Sequence, residues 1–145
     1  NAFGERQHVE KFIPMTIKKL LNDEEIIIHS YPDKKTSGTR FYIHGRNIAA
    51  AVLFLLKNGK NGEKYNITGE KEVSNLEMAQ IIADTIGKPL KYKMTDCHSI
   101  RPGHDLRYGL DGSKMFEMGW KIPVPFDESI KNTILWTLEN QSWLE

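Results

Sequence analysis

The chain has 145 residues, 39% apolar and 27% charged, and its 20 basic and 19 acidic side chains leave a formal charge of +1. That length suits one domain able to bury roughly two-thirds of its unfolded surface, and the near balance of charge excludes a long-range pull toward nucleic acid or an anionic membrane. One cysteine, Cys97, excludes an intrachain disulfide, and no apolar run approaches the length of a membrane span, so a cytoplasmic setting is expected.

In chain order, the sequence opens on a turn-like Asn1-Ala2-Phe3-Gly4 with no methionine and no signal peptide, which predicts a fragment beginning inside a longer polypeptide. Pro14 suits the first position of a helix, and Ile17, Leu20 and Leu21 follow at helical spacing until Asn22-Asp23 stops it. Glu25 to His29 reads as a short buried strand, and Tyr31 to Gly38 as a turn-rich loop. Arg40 to His44 is extended. Ile48, Val52, Leu55 and Leu56 mark the inward stripe of the next helix, closed by Lys57 and a glycine cap at Gly59.

Lys64 to Ile67 reads as a strand. Ser74-Asn75-Leu76-Glu77 is a capping box and the clearest helix start in the chain. Leu76, Ala79, Ala83 and Ile86 should face inward from that helix, which Gly87 and Pro89 end. Leu90 to Met94 is a strand, Arg101 to Asp105 a polar turn, and Arg107 to Leu110 a short extended piece. Asp111 caps a helix ending near Gly119, and Phe126, Ile130, Ile134 and Leu138 line the last helix. Alternating strands and helices give an α/β or α+β class, with no internal repeat. The three tryptophans read as packing or interface aromatics.

No glycine-rich dinucleotide turn follows a strand, and there is no Walker A loop, no nucleophile elbow and no Tyr-x-x-x-Lys on a helix. The chain thus offers no self-contained catalytic set. Two segments suit binding. Lys11 stands just before a helix amino terminus, where a lysine and free N–H groups favour a phosphate, although a solvated lysine fits that position at least as well. Arg101-Pro102-Gly103-His104-Asp105 is a rigid turn presenting two donors, with an internal Arg101–Asp105 pair as the plainer alternative. Cys97-His98 and His104-Asp105 match no familiar zinc spacing.

Four segments resemble, in order, the extended short-chain dehydrogenase/reductases, and within them the dTDP-glucose and UDP-glucose 4,6-dehydratases. Asn1-Ala2-Phe3-Gly4 with Glu10-Lys11-Phe12-Ile13-Pro14 is similar to Asn-x-Tyr-Gly…Glu-Lys-Leu-Ile-Pro. Gly62 to Gly69 resembles Gly-Glu-x-Tyr-Asn-Ile-Gly-Gly. Arg101 to Asp105 matches Arg-Pro-Gly-His-Asp, the segment that separates the dehydratases from related epimerases. Asp111-Gly112-Ser113-Lys114…Gly119-Trp120 resembles Asp-Ala-Ser-Lys…Leu-Gly-Trp.

The resemblance implies an α/β fold: the C-terminal, substrate-binding portion of a Rossmann-type short-chain dehydrogenase, with residues 1–145 as one nucleotide-sugar domain. It implies a nucleotide-diphosphate sugar as ligand, with Asn1, Lys11, Phe12, His29, Arg40, Asn75, Arg101 and His104 as its contacts. Asn1 would lie near the pyrophosphate, Lys11 and Phe12 would hold the diphosphate, and Asn75 would meet the base or adjoining phosphate. Arg101 and His104 would clamp the nucleotide end. His29 falls where an aromatic often lies near the base. Arg40 falls at a phosphate-binding arginine, although Arg40-Phe41-Tyr42 stands where the family reads Arg-Asp-Trp.

The implied reaction uses tightly bound NAD. Hydride leaves C4 of the sugar, water is eliminated across C5 and C6, and hydride returns to C6. The NAD-binding and catalytic motifs would lie upstream of Asn1, and the full-length protein would be a homodimer binding neither nucleic acid nor membrane. A non-catalytic binding fragment and a related epimerase are the alternatives.

A portion separated from its partner half should expose apolar surface and self-associate. Light scattering at high concentration should return a mass above the monomer; a monodisperse monomer would contradict this.

Overall fold

The computed structural model describes residues 1–100 and 102–145, with Ile100 described by its backbone. The elements are β1 (Ala2–Phe3), α1 (Phe12–Leu21), β2 (Ile26–Ser30), β3 (Thr39–Phe41), β4 (Ile43–His44), α2 (Gly45–Asn58), β5 (Glu72–Ser74), α3 (Asn75–Ile86), β6 (Tyr92–Asp96), α4 (Cys97–Ile100), β7 (Arg107–Tyr108), α5 (Ser113–Glu117), α6 (Phe126–Glu139) and a closing 3₁₀ turn, Gln141–Leu144.

The strands make three small sheets. β1 runs parallel to β4, and β2 parallel to β6 from Ile26↔Tyr92 to Ser30↔Asp96. β3 lies between β5, antiparallel, and β7, parallel. Successive side chains of a strand point to opposite faces, so Ile26 and Ile28 are fully buried while Ile27 and His29 face outward. α1 and α3 cover the buried face with Ile13, Ile17, Leu20, Met78, Ile82 and Ala83, and α6 adds Phe126, Ile130 and Ile134. A second cluster joins Ala51 of α2 to Met115 and Trp120. Among the described residues no helix is long and apolar enough to cross a membrane.

Several elements follow the sequence closely. Ser74 caps α3 by accepting from the Glu77 N–H at 3.0 Å, and Gly87 ends that helix with φ of 77° while its N–H and that of Lys88 both reach the Ala83 carbonyl. The deepest side chains of α3 are Met78 and Ile82 beside Ala79 and Ala83, with the expected Leu76 and Ile86 only partly buried. Asp111 precedes the α5 cap by one residue, yet its carboxylate still accepts from the Ser113 N–H at 2.9 Å.

Four expectations need correction. α1 begins at Phe12, so Pro14 is the third helical residue; its missing N–H falls among donors that a first turn leaves unpaired anyway. α2 buries Asn47 and Ala51, not the 48/52/55/56 stripe, and leaves Val52, Leu53 and Leu56 exposed at 45%, 61% and 78%. Asn47 sets that rotation: its side-chain amide donates to the Val124 carbonyl at 2.8 Å and accepts from the Val124 N–H at 3.3 Å, turning this flank inward. Gly59 closes α2 with an ordinary φ of −75°; it is glycine because a Cβ there would stand 2.7 Å from the Leu55 carbonyl oxygen. Residues 64–67 form no strand. Tyr65 and Ile67 pack on the second cluster, and the Asn66 side chain donates to the Asp111 carbonyl at 2.9 Å. The short α4 was not expected from the sequence; Asp96 starts it by accepting from the His98 N–H at 3.0 Å.

Ile82 is fully buried and Leu56 is 78% exposed. Ile82→Ala should cost about 2–5 kcal/mol in urea unfolding, and Leu56→Ala less than about 0.5 kcal/mol.

Candidate functional site

A cleft of about 950 Å³ opens between the start of α1, the outer face of β2 and the three-stranded sheet, and Asn1, Lys11, Phe12, His29, Arg40, Asn75 and His104 all line it. Seven of the eight residues singled out from the sequence therefore share one cavity. The eighth, Arg101, lies outside the described residues.

The first wall is the α1 amino terminus. Lys11 is its cap residue, with extended backbone and no side-chain cap. The Lys11 N–H reaches the His8 carbonyl at 2.9 Å and the Met15 N–H reaches the Lys11 carbonyl at 3.0 Å, while Pro14 has none. The N–H groups of Phe12 and Ile13 are the remaining donors of this turn. They carry the positive end of a ten-residue helix dipole beside an exposed lysine. Glu10 and Lys19 also line the cleft.

The second wall hangs on Arg40 in β3. Its Nη1 donates to the Thr39 carbonyl at 2.7 Å and the Leu106 carbonyl at 2.5 Å, and its Nη2 to the Asp105 carbonyl at 3.2 Å. The guanidinium also lies 4.4 Å from the centre of the Tyr108 ring. A guanidinium has five N–H groups, so two remain for a ligand. Gly38 makes this possible, because a Cβ there would stand 2.6 Å from the Leu106 carbonyl oxygen. Across β3, Arg107 grips Glu72 through Nε–Oε1 at 2.7 Å and Nη2–Oε2 at 2.9 Å, fastening β7 to β5. That arginine, then Thr39, holds the exposed Glu72 carboxyl below the usual carboxylate range. His104 stands with its ring 6.1 Å from Tyr108.

Asn75, first residue of α3, is buried. Its N–H donates to the Gly38 carbonyl at 2.8 Å, and its Oδ1 accepts from the Tyr42 hydroxyl at 2.8 Å. Burial pushes the Tyr42 phenol far above its ordinary value of 10, against a small opposing pull from Arg40, so it stays protonated. Tyr42 and Tyr108 line the cleft, and neither was singled out from the sequence. Tyr42 stands between β3 and β4, and only the folded chain brings it to Asn75.

Behind the first wall, the Arg46 N–H donates to His44 Nδ1 at 3.1 Å. Nε2 therefore carries the proton and gives it to Glu5 Oε2 at 3.1 Å. Arg46 reaches the other Glu5 oxygen at 3.2 Å. Burial pushes the Glu5 carboxyl up, but its own backbone N–H, the His44 ring N–H and the charge of Arg46 outweigh it, and the group titrates below its ordinary 4.5. The loop after β1 is held from the other side by Arg6, whose guanidinium lies 5.4 Å from the Trp136 ring and 5.9 Å from Trp143, with its backbone left-handed at φ 62°. Among the described residues no group of three or more His, Cys, Asp or Glu could hold a metal ion, and Cys97 is buried.

The segment that builds the first wall and β3, residues 1–68, matches the NAD dependent epimerase/dehydratase family model. Just under half of the chain thus resembles that family. It is 35% identical over 146 aligned positions to the human dTDP-D-glucose 4,6-dehydratase, covering 97% of this chain and 40% of that protein. The dTDP-glucose 4,6-dehydratase of Escherichia coli is 31% identical over all of this chain and 41% of its own length. The solved dTDP-glucose 4,6-dehydratase of Streptomyces venezuelae, with NAD bound, superposes with a TM-score of 0.83 at 32% identity, over all of this chain and 44% of that one. The UDP-glucuronic acid 4-epimerase of Bacillus cereus, in complex with UDP-glucuronic acid and NAD, shares the fold at TM-score 0.81 and 20% identity, over 97% of this chain and 43% of that one. The chain thus spans about 40% of the length of the relatives it matches.

Two outcomes are expected from this arrangement. Because the folded Glu5 carboxyl titrates below its unfolded value of 4.5, the unfolded chain binds more protons between the two values. Stability should fall as pH drops from about 4.5, and Glu5→Gln should flatten that part of a urea-midpoint profile; an identical slope would contradict it. Arg40→Lys keeps the charge but loses the planar fork, so amide exchange of Thr39, whose N–H bonds the Leu106 carbonyl, should accelerate at least about fivefold.

Proposed function

We propose that residues 1–145 form the nucleotide-diphosphate-sugar binding domain of an NAD-dependent dTDP- or UDP-glucose 4,6-dehydratase. The observation that carries the reading is the gathering of Asn1, Lys11, Phe12, His29, Arg40, Asn75 and His104 on one cleft. Its dimensions suit a ligand of this class, since small-molecule sites run from about 300 to 1,000 Å³.

In this reading the ligand diphosphate lies against Lys11 and the open N–H groups of Phe12 and Ile13, where charge and helix dipole add. Arg40 offers its remaining donors from the opposite wall while its others hold the sheet. Asn75 and His29 meet the base or the adjoining phosphate, and Arg101 and His104 close over the nucleotide end. Binding of the nucleotide, remote from the reacting sugar, supplies free energy that positions C4, C5 and C6 for reaction. These residues anchor the substrate, and none of them is assigned to proton or hydride transfer.

NAD supplies the hydride acceptor and donor in the proposed reaction. The 145 residues contain no glycine-rich turn between a strand and a helix, so the chain's own side chains do not fit that cofactor. The reading places it on another part of a longer polypeptide, one that acts as a cytoplasmic homodimer.

Calorimetric titration with UDP, dTDP and GDP tests the proposal. Saturable binding of a pyrimidine diphosphate is expected, and Lys11→Ala should weaken it about tenfold or more. No binding by a demonstrably folded chain, or binding indifferent to Lys11→Ala, would overturn the assignment.

A further inference from the structure

We infer that Tyr42 is a positioning residue that locks the Asn75 carboxamide in one orientation, so that the cleft presents the Asn75 Nδ2 donors to an acceptor oxygen of the ligand. The inference rests on the proposed contact between Asn75 and the ligand, and it adds what that contact must be.

The argument begins with protons. Tyr42 is 7% exposed and Asn75 is 9% exposed, and their side chains meet at 2.8 Å in a buried hydrogen bond. Burial holds the phenol protonated, so its hydroxyl hydrogen needs an acceptor. The Asn75 Oδ1 is that acceptor. A carboxamide has one oxygen and one NH₂, and fixing the oxygen on Tyr42 fixes the nitrogen on the opposite side. The Asn75 backbone is pinned as well, its N–H on the Gly38 carbonyl at 2.8 Å. The side chain therefore has neither a loose end nor a loose root.

Asn75, Arg40 and Tyr42 all line the cleft. With its oxygen held by Tyr42, the Asn75 carboxamide has its Nδ2 donors left for a ligand. A fixed Nδ2 donor selects an acceptor, such as a base carbonyl or a phosphate oxygen, and rejects an amino group, because two donors placed face to face leave both unpaired. With the tyrosine hydroxyl removed, the carboxamide can turn over and present its oxygen instead, so the same asparagine would then repel the same ligand atom. Phenylalanine keeps the ring of Tyr42 in the core and deletes only the hydroxyl.

Four variants in one titration series separate the possibilities, using UDP as probe and thermal unfolding to establish the folded fraction. Tyr42→Phe should weaken binding roughly fivefold, and Asn75→Ala at least as much. The double variant should bind no worse than Asn75→Ala alone, because the hydroxyl acts only through the amide. Asn75→Asp keeps an oxygen on Tyr42 but turns an acceptor toward the ligand, and should lose more than Asn75→Ala. If Asn75→Ala weakens UDP while Tyr42→Phe does not, the lock is wrong and the site assignment stands. If Asn75→Ala changes nothing, Asn75 is not a ligand contact and both fall. If Tyr42→Phe costs the same factor in the Asn75→Ala background, Tyr42 acts by another route and the lock is wrong. A readout without ligand decides the orientation directly. The two Asn75 Nδ2 protons should give separate resonances in the wild-type chain that shift and broaden in Tyr42→Phe; unchanged resonances would overturn the inference.

Discussion

The Arg40 guanidinium bridges the two ends of the cleft's second wall. It holds the carbonyls of Thr39, Leu106 and Asp105 and lies on the Tyr108 ring. β3 has only three residues, and its neighbours arrive from distant chain: β5 some thirty positions later and β7 nearly seventy. Backbone pairing over so few residues is weak support for a sheet. The arginine adds charge-assisted bonds across the gap, and the Glu72–Arg107 fork closes the far side. Phe12, Lys11 and Asn1 approach from a different element altogether, so the cleft exists only while this small sheet keeps its register.

The two walls do different work. The α1 start is electrostatic, made of a helix dipole, two open N–H groups and Lys11, all of which favour an anion without requiring a particular shape. The sheet wall is stereochemical, because Asn75 is held at backbone and side chain and His104 directly precedes Asp105 and Leu106, whose carbonyls Arg40 holds. A nucleotide diphosphate has both kinds of feature, a diffuse double charge and a directional base. The division matches the division of the cleft.

Much of this was legible in the sequence because the signals were local. The capping box at Ser74 fixed where α3 begins and therefore where Asn75 stands. The last helix was readable from the four apolar residues spaced by one turn from Phe126. Arg-Pro-Gly-His-Asp and Glu-Lys-Phe-Ile-Pro stood out only through their resemblance to known motifs, since the residues alone suit plainer roles equally well. The failures were of another kind. The rotation of α2 is decided by two hydrogen bonds between Asn47 and Val124, residues far apart in sequence, and apolar spacing alone picked the wrong face. Tyr65 and Ile67 have strand-forming side chains but spend them on a helix pair. Tyr42 was not singled out, and its hydroxyl gains meaning only beside Asn75. What the sequence hid was long-range pairing, which no local pattern encodes.

Two-dimensional ¹H–¹⁵N spectra of the labelled chain, recorded with increasing dTDP, test the shared cleft most directly. The account predicts saturable shifts at the amides of Phe12, Ile13, His29, Tyr42 and His104 and at the Asn75 side chain, with α2 and α5 unmoved. Saturable shifts centred on α2 or α5, or a folded chain whose cleft amides do not move, would contradict it.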